Sequence, residues 1–359
     1  MGRGDAAPEE EPARAGGLGP PPQLAQRLEE VPRELLPGLQ VGAAGADAGR
    51  PRDVDHEDAL RGPRPQVAAG GVLSPGVEVP AAEAGPIVHE LRLIKDSTEL
   101  ALMRRAAELS AEAHVAAMRE VRPGRHEYNL KAAMVATCLH GGAGRMAYPP
   151  IVGSGRNSVI LHYEPADKPL DDGAMIVNDT GCEYGMYAAD VTRSYPVSGR
   201  FTAEQRAIYE IVLAAQTAAI AAVRPGIPYR TMNEITLEVV VDGLIRLGLL
   251  TGNRDELIES GAQRKFYPHG SGHWIGLNVH DPGSYGFPPG VSREERYRTA
   301  TTPLRPGMIF TVEPGIYIPE GSTTDRRWWN IGVRIEDEIL VTATGGECLS
   351  CMAPREIAE

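Results

Sequence analysis

Pro268-His269-Gly270-Ser271-Gly272-His273-Trp274-Ile275-Gly276-Leu277-Asn278-Val279-His280-Asp281 is the stretch that decides how the rest of the chain is read. It gathers three of the nine histidines into twelve residues, with glycines between them. Imidazole is the commonest metal ligand and the side chain that most readily changes protonation near neutral pH. Glycines beside it let backbone and substrate approach closely. Taken alone, the stretch suggests a three-histidine zinc site. The spacing of His269 and His273 matches the paired helical histidines of H-E-x-x-H proteases, but Gly270 and Gly272 argue against a helix and no Glu follows His269.

Carboxylates elsewhere bear on that choice. Asp179 ends the apolar run Met175-Ile176-Val177-Asn178-Asp179-Thr180-Gly181, and Asp190 follows eleven residues later inside Tyr187-Ala188-Ala189-Asp190-Val191-Thr192-Arg193. Gly181 and Gly185 supply turn chemistry for a hairpin between them. Such a hairpin can set both carboxylates on one face, where they repel unless a cation or a shared proton relieves them. Each Asp alone also suits an ordinary turn or strand end. Glu313 sits in Phe310-Thr311-Val312-Glu313-Pro314-Gly315-Ile316-Tyr317, and Glu336 in Gly332-Val333-Arg334-Ile335-Glu336-Asp337. Strand periodicity puts Arg334 and Glu336 on one face. A charge aimed into a core is costly unless paired or metal-bound. Four carboxylates and one imidazole suit two divalent ions, since four negative charges offset two dications. Oxygen-rich ligation with one nitrogen favours Mn2+, Co2+, Fe2+ or Zn2+ over a thiolate site.

Around these residues the chain reads as alternating helices and strands. Asp96-Ser97-Thr98-Glu99 has capping-box spacing, and Leu102, Ala106, Leu109, Ala113 and Ala116 recur at helical spacing through to about Val121. A second helix is expected from His126 to Leu139, stopping at Gly141-Gly142. Thr202-Ala203-Glu204-Gln205 opens a third, to about Val223, and a fourth covers roughly Thr231–Leu249. Helix, Arg-Pro-Gly, helix therefore occurs twice, at Arg122-Pro123-Gly124 and Arg224-Pro225-Gly226, which points to two similar α/β halves. Strands are expected over Met175–Thr180, Tyr187–Val197, Met308–Ile318 and Ile331–Thr342, giving an α+β or mixed α/β class. Pro282–Thr302, rich in Gly, Pro and charge, reads as a surface loop near the site mouth.

A chain of 359 residues has room for a domain of about 250 residues and something smaller. The net charge of −12 argues against a general nucleic-acid or anionic-membrane binder. No run of apolar residues is long enough to span a bilayer. Met1-Gly2-Arg3-Gly4-Asp5 lacks the apolar core of a signal peptide, so a cytoplasmic location is the default expectation. Four cysteines do not make a disulfide framework in a chain of this length. Cys348 and Cys351 form a C-x-x-C with no second pair, which sets a zinc or redox reading aside, and Cys182 reads as a small apolar neighbour of Asp179. Residues 1–86 contain no Ile, Phe, Tyr, Trp, Lys, Asn, Thr or Cys. The types they use have G/C-rich codons, so this low-complexity segment is expected to be a disordered tail or an out-of-frame remnant replacing an N-terminal domain. Residues 87–359 are expected to form the structured domain.

Asp179, Asp190, His273, Glu313 and Glu336 follow one another as in the pita-bread metallopeptidases, the family of methionine aminopeptidase, aminopeptidase P, prolidase and the non-metal creatinases. The resemblance covers residues 87–359 and rests on Asp-x-Gly, Asp-x-Thr-Arg, His-Gly-x-x-His-x-x-Gly, Val-Glu-Pro-Gly-x-Tyr and Arg-Ile-Glu-Asp. Retention of all five ligands speaks against the creatinase branch. His269 together with the His280-Asp281 pair resembles aminopeptidase P or prolidase rather than methionine aminopeptidase. The resemblance implies an α+β catalytic domain of two similar halves that holds two divalent ions, with Mn2+ first in expectation. It implies that Asp190 and Glu336 bridge the ions, that Asp179 completes one and that His273 with Glu313 completes the other. Glu313, touching a bridging water, would be general base. His162, His269 and His280 would contact substrate and the oxyanion, with Tyr317 and Arg334 in support, Arg334 orienting an Asp ligand. Only His273 of the three clustered histidines is then needed as a ligand.

The implied activity is removal of an N-terminal residue that precedes proline, acting on peptides with proline in the second position. The alternatives are a prolidase, which cleaves Xaa-Pro dipeptides, and a non-enzymatic pita-bread binding module. The family's two-domain members build their substrate pocket and oligomer interface with an N-terminal domain. Residues 1–86 show no sign of one, so a homo-oligomer is compatible with the resemblance but lacks that domain to build it.

Overall fold

The computed structural model describes residues 84–292 and 296–357. The reading of residues 1–86 as a tail or out-of-frame segment lies outside the described residues but for its last three, which open helix α1 (Ala84–Leu93). Helix α2 (Ser97–Glu120) starts where its capping box predicts: the Asp96 carboxylate accepts from the N–H groups of Thr98 and Glu99, and the Glu99 side chain accepts from Asp96 N–H. Helix α3 (Glu127–His140) follows after Arg122-Pro123-Gly124. Helices α4 (Ala203–Ala222), capped reciprocally by Thr202 and Gln205, and α5 (Arg230–Arg246) repeat the arrangement around Arg224-Pro225-Gly226.

Strands β1 (Arg145–Met146) to β6 (Thr192–Pro196) lie between the helix pairs. The central sheet of this half has the order β2 (Ile151–Ser154), β3 (Met175–Asp179), β6, all antiparallel. Between β3 and β6 the chain makes a hairpin of β4 (Cys182–Tyr184) and β5 (Tyr187–Ala188). After α5 come the short helix α6 (Arg254–Ser260) and strands β7 (Ile309–Val312), β8 (Gly315–Ile318), β9 (Ile331–Arg334), β10 (Asp337–Val341) and β11 (Gly346–Cys348).

Three runs expected as single strands are each interrupted, and each break falls at an acidic residue. Tyr187–Val197 divides at Asp190, Met308–Ile318 at Glu313-Pro314 and Ile331–Thr342 at Ile335-Glu336. In all three cases the chain changes sheets there: β5 pairs with β4 but β6 with β3, and β7 pairs with β10 whereas β8 pairs with β9. Pro314 has no N–H to continue a ladder. The carboxylates therefore stand where backbone pairing stops, at the seam between sheets.

The apolar helix faces pack on these sheets. Leu109, Ala113, Leu130 and Met134 cluster with Val152 and Ile176, and Ile208, Val212, Leu237 and Val240 with Ile316, Ile318, Ile331 and Val333. The described residues of Pro282–Thr302 lie mostly at the surface, as expected, but are anchored to the core at two points. Tyr285 stacks on Trp274 at 5.2 Å between ring centroids and its hydroxyl accepts from Trp274 N–H, while Ala300 is buried. Among the described residues no helix is long and apolar enough to cross a membrane.

The cysteines correct the sequence reading. Cys182 has a partner, Cys138, across 44 residues, and both are fully buried; Cys348 and Cys351 are bonded to each other.

Candidate metal centre

Gly181 brings the first two carboxylates together. A Cβ there would stand 1.7 Å from the Ala189 carbonyl oxygen, so only glycine lets the outgoing and returning chains pass this closely. Asp179 and Asp190, both buried, are then joined by Tyr148, whose hydroxyl contacts Asp179 Oδ1 and lies 2.7 Å from Asp190 Oδ1. Glu336 enters from the second half: its N–H donates to Thr192 O at 3.1 Å, and the Thr192 hydroxyl donates to Glu336 Oε2 at 2.7 Å. His273 Nε2 lies 3.3 Å from Asp190 Oδ2, 3.8 Å from Glu313 Oε1 and 3.9 Å from Glu336 Oε1. The five residues expected as ligands thus converge: three carboxylates are grouped around His273, and the fourth, Asp179, is tied to Asp190 through Tyr148.

Hydrogen bonds orient the two imidazoles. His273 Nδ1 is 3.1 Å from the Trp274 carbonyl, which can only accept, so Nδ1 is a donor and Nε2 is the nitrogen that faces the carboxylates. His269 Nδ1 donates likewise to Gly270 O at 2.8 Å. Arg334 Nη1 donates to Tyr317 Oη at 2.8 Å, and the Tyr317 hydroxyl in turn donates to His269 Nε2 at 2.9 Å. Burial, aided by the Arg334 charge, pulls the His269 pKa down to about 3, so this imidazole is neutral. Arg334 also donates to Asp179 Oδ2 at 2.5 Å and to Thr192 Oγ1 at 3.2 Å.

The remaining expected residues lie at the open side. His280 is exposed, and its ring centroid is 4.1 Å from that of His273. Its neighbour Asp281 is buried and paired with Arg92 and, at 3.8 Å, with Lys95, whose pKa burial lowers to about 8. His162 is exposed on the segment after β2, near enough for its charge to act on His269.

Burial drives the carboxyls of Asp190, Glu313 and Glu336 well above the ordinary range. Neighbouring charge adds to it: Asp179 acts on Asp190, Glu336 on Glu313 and Asp190 on Glu336. Mutually repelling buried carboxylates beside an imidazole whose Nε2 faces them are a donor set that a divalent cation would relieve. Asp190, His273 and Glu336 each offer a ligand atom, all within 4.8 Å of one another.

The sequence reading passed over several supporting groups. Tyr148 carried no signal beyond its place before β2. His114 is fully buried in α2, and its Nε2 lies 3.1 Å from Thr180 O and 2.9 Å from Val191 O, the neighbours in sequence of Asp179 and Asp190. Glu338 Oε1 accepts from Asp190 N–H at 2.7 Å. The run Glu336-Asp337-Glu338 inside an apolar strand was its available signal.

Comparison with known proteins agrees with this arrangement. Residues 101–343 match the pattern of metallopeptidase family M24. The chain belongs to that family. Family membership implies a divalent-metal cofactor. A relative, the Xaa-Pro aminopeptidase of Haemophilus influenzae, is 43% identical over 274 residues, which are 76% of this chain and 61% of the relative. The solved aminopeptidase PepP of Pseudomonas aeruginosa is similar, with a TM-score of 0.71 and 46% identity over 76% of this chain and 60% of that one. A glutamate-to-alanine variant of Escherichia coli aminopeptidase P in complex with substrate gives a TM-score of 0.73 and 41% identity, covering 77% of this chain and 60% of that chain. The fold is accordingly the α+β pita-bread fold of the M24 family. The chain spans about three-fifths of the length of these relatives.

Proposed function

We propose that residues 87–359 form the catalytic domain of a dinuclear-metal aminopeptidase that releases an N-terminal residue preceding proline. The observation that carries this is the convergence of Asp179, Asp190, His273, Glu313 and Glu336, with His273 Nε2 turned toward the carboxylates. The names of the similar proteins, Xaa-Pro aminopeptidase and aminopeptidase P, support the proline preference. Asp190 and Glu336 would bridge two ions, with Asp179 on one and His273 with Glu313 on the other. Mn2+ is the first candidate, with Co2+, Fe2+ and Zn2+ compatible with the same donors. Bound divalent ions would acidify water and polarise the scissile carbonyl.

The chain's own residues supply the rest. Glu313, which lies 3.8 Å from His273 Nε2, would accept the proton of the attacking water. Arg334 fixes the Asp179 carboxylate and, through Tyr317, the His269 ring. His162 and His280, on the open side, would meet the peptide and donate to the developing oxyanion. His269, whose proton sits on Nδ1, would contact the substrate as an acceptor, its Nε2 exchanging the Tyr317 hydroxyl for a substrate N–H. The substrate class is peptides with proline second, and the proposed setting is the cytoplasm.

Metal-reconstituted cleavage assays test this. The full chain with Mn2+ should cleave an Xaa-Pro-Yaa peptide faster than an Xaa-Pro dipeptide, and a chelator should abolish both reactions. Cleavage of the dipeptide alone would make the protein a prolidase. A folded protein that takes up no divalent ion would leave a binding module instead.

A further inference from the structure

We propose that the Cys348–Cys351 pair is a redox-modifiable site whose disulfide holds the metal-binding carboxylates in place. This rests on the metal centre proposed above, but not on its substrate. The pair closes the turn after β11, and the two residues inside it, Leu349 and Ser350, reach back onto β10. Leu349 N–H donates to Glu338 O at 2.8 Å; the Ser350 hydroxyl accepts from Glu338 N–H at 3.1 Å and donates to Asp337 Oδ1 at 2.6 Å. Two relays lead from this turn to the ligands. Glu338, seated by Ser350, accepts the N–H of Asp190. The carbonyls of Ser350 and Ala353, with Asp337, hold the buried Arg193 guanidinium, which donates to the carbonyl oxygens of Thr192 and Glu336 at 2.9 and 2.7 Å.

Accessibility separates this pair from the other disulfide. Cys138 and Cys182 are fully buried, whereas Cys348 and Cys351 are half-buried and Met352 beside them is exposed. A small dithiol can therefore reach the second pair alone in the folded protein. One thiolate of the dithiol attacks a sulfur of the bond, forming a mixed disulfide and expelling the other cysteine as thiolate. The dithiol's second thiol then closes its own disulfide and releases the remaining cysteine. Two electrons pass from dithiol to protein, and each cysteine thiolate takes up a proton. Freed of the bond, the turn no longer fixes Ser350 and Ala353, and Arg193 and Glu338 lose their anchor. A metal bound by the two thiols and Asp337 is disfavoured, because both Asp337 oxygens already accept from Arg193, Ser350, Gln216 and Arg355.

The test is Mn2+ binding by the full chain, followed through the signal of free Mn2+, before and after mild dithiothreitol treatment. Thiol alkylation and mass spectrometry report which cysteines opened. Alkylation confined to Cys348 and Cys351, with affinity falling about tenfold and recovering on reoxidation, is the expected result. A Cys348→Ser/Cys351→Ser double variant should bind as the reduced protein does and ignore dithiothreitol. Ser350→Ala, which leaves the disulfide intact, should weaken binding in the oxidised state. Equal affinity in both redox states, or failure of these two cysteines to react in the folded chain, overturns the inference. Absence of Mn2+ binding in either state overturns the metal centre with it, whereas redox-sensitive binding without Xaa-Pro cleavage overturns only the proposed substrate.

Discussion

The two halves of the domain are built on one local plan, and their differences show where the chemistry was added. Helices α2 and α4 both end in an extended residue, Val121 and Val223, whose N–H bonds three residues back. Gly124 N–H then donates to Leu170 O, and Gly226 N–H to Leu304 O. Leu170 N–H answers to Arg125 O, and Leu304 N–H to Ile227 O. Three residues beyond each of these leucines stands a positive-φ glycine, Gly173 or Gly307, and six residues beyond that stands an acidic residue, Asp179 or Glu313. Asp190 and Glu336 then precede the strands that pair back. Each half thus delivers two carboxylates by the same route.

The imidazole breaks the symmetry. In the first half β2 lies along β3 with Gly153 opposite Val177, two residues before Asp179. In the second half the segment through His273 lies along β7 in the same way, Thr311 N–H donating to His273 O two residues before Glu313. His273 therefore occupies the place that Gly153 holds in the other half. A side chain at Gly153 would meet the Asn157 carbonyl at 2.5 Å, so only one half has room for a nitrogen ligand. The other half contributes Tyr148 instead. One nitrogen among four carboxylates is what the duplication plus a single asymmetric substitution produces.

The strongest way to break this comparison is to neutralise one equivalent carboxylate in each half. Asp190→Asn and Glu336→Gln should each lower kcat/KM by at least about a thousandfold, because an amide cannot bridge two cations and several kcal/mol of charge stabilisation disappear. Metal stoichiometry measured on both proteins checks the cause. Full activity in either variant would mean that the halves do not share the centre. Next in size is the brace between halves. Arg334→Met leaves Asp179 buried without its guanidinium partner and should destabilise the fold by about 3–5 kcal/mol in urea unfolding of the metal-free protein. A smaller loss with unchanged metal affinity would show that Tyr148 alone can hold Asp179.

Much of this plan could be read from residue types, because it is local chemistry. Capping boxes at Asp96 and Thr202, the two Arg-Pro-Gly breaks and the acidic residues in apolar runs each announce themselves within a few positions. The breaks at Asp190, Glu313 and Glu336 did not, since a period of two says which face a side chain takes but not which sheet a strand joins. The Cys138–Cys182 bond escaped for the same reason: its partners are 44 residues apart and meet only when α3 packs on β4. His114 looked like any helical histidine until the fold placed two carbonyls against it.

That histidine gives the next test. His114 and Gln216 stand at matching points, each seven residues before the helix cap. Both donate from Nε2 to residues next to the four acidic positions: His114 to Thr180 O and Val191 O, Gln216 to Val312 O and Asp337 Oδ2. Burial holds the His114 pKa near about 4, below that of an unfolded histidine. The unfolded chain thus binds a proton that the folded one refuses, and stability falls as pH drops from about 6.5 toward 4. His114 should account for about 2 kcal/mol of the loss between pH 7.5 and 5. His114→Gln, which copies the second half, should remove that part of the pH slope while keeping the donor. An unchanged slope in urea titrations at the two pH values would assign the acid sensitivity to other groups.

The smallest expected effect probes the repeat itself. Gly124 and Gly226 have φ of +86° and +89°, and a Cβ at either would meet nothing within 4 Å. Replacement by alanine therefore costs only the left-handed backbone conformation, about 1 kcal/mol, with no steric clash added. Because the two clasps share their hydrogen bonds, Gly124→Ala and Gly226→Ala should lower the urea midpoint by equal amounts, and the double variant by their sum. Unequal losses would locate extra strain in one half, and a double loss well beyond the sum would show that the clasps fold as one cooperative unit rather than as two copies.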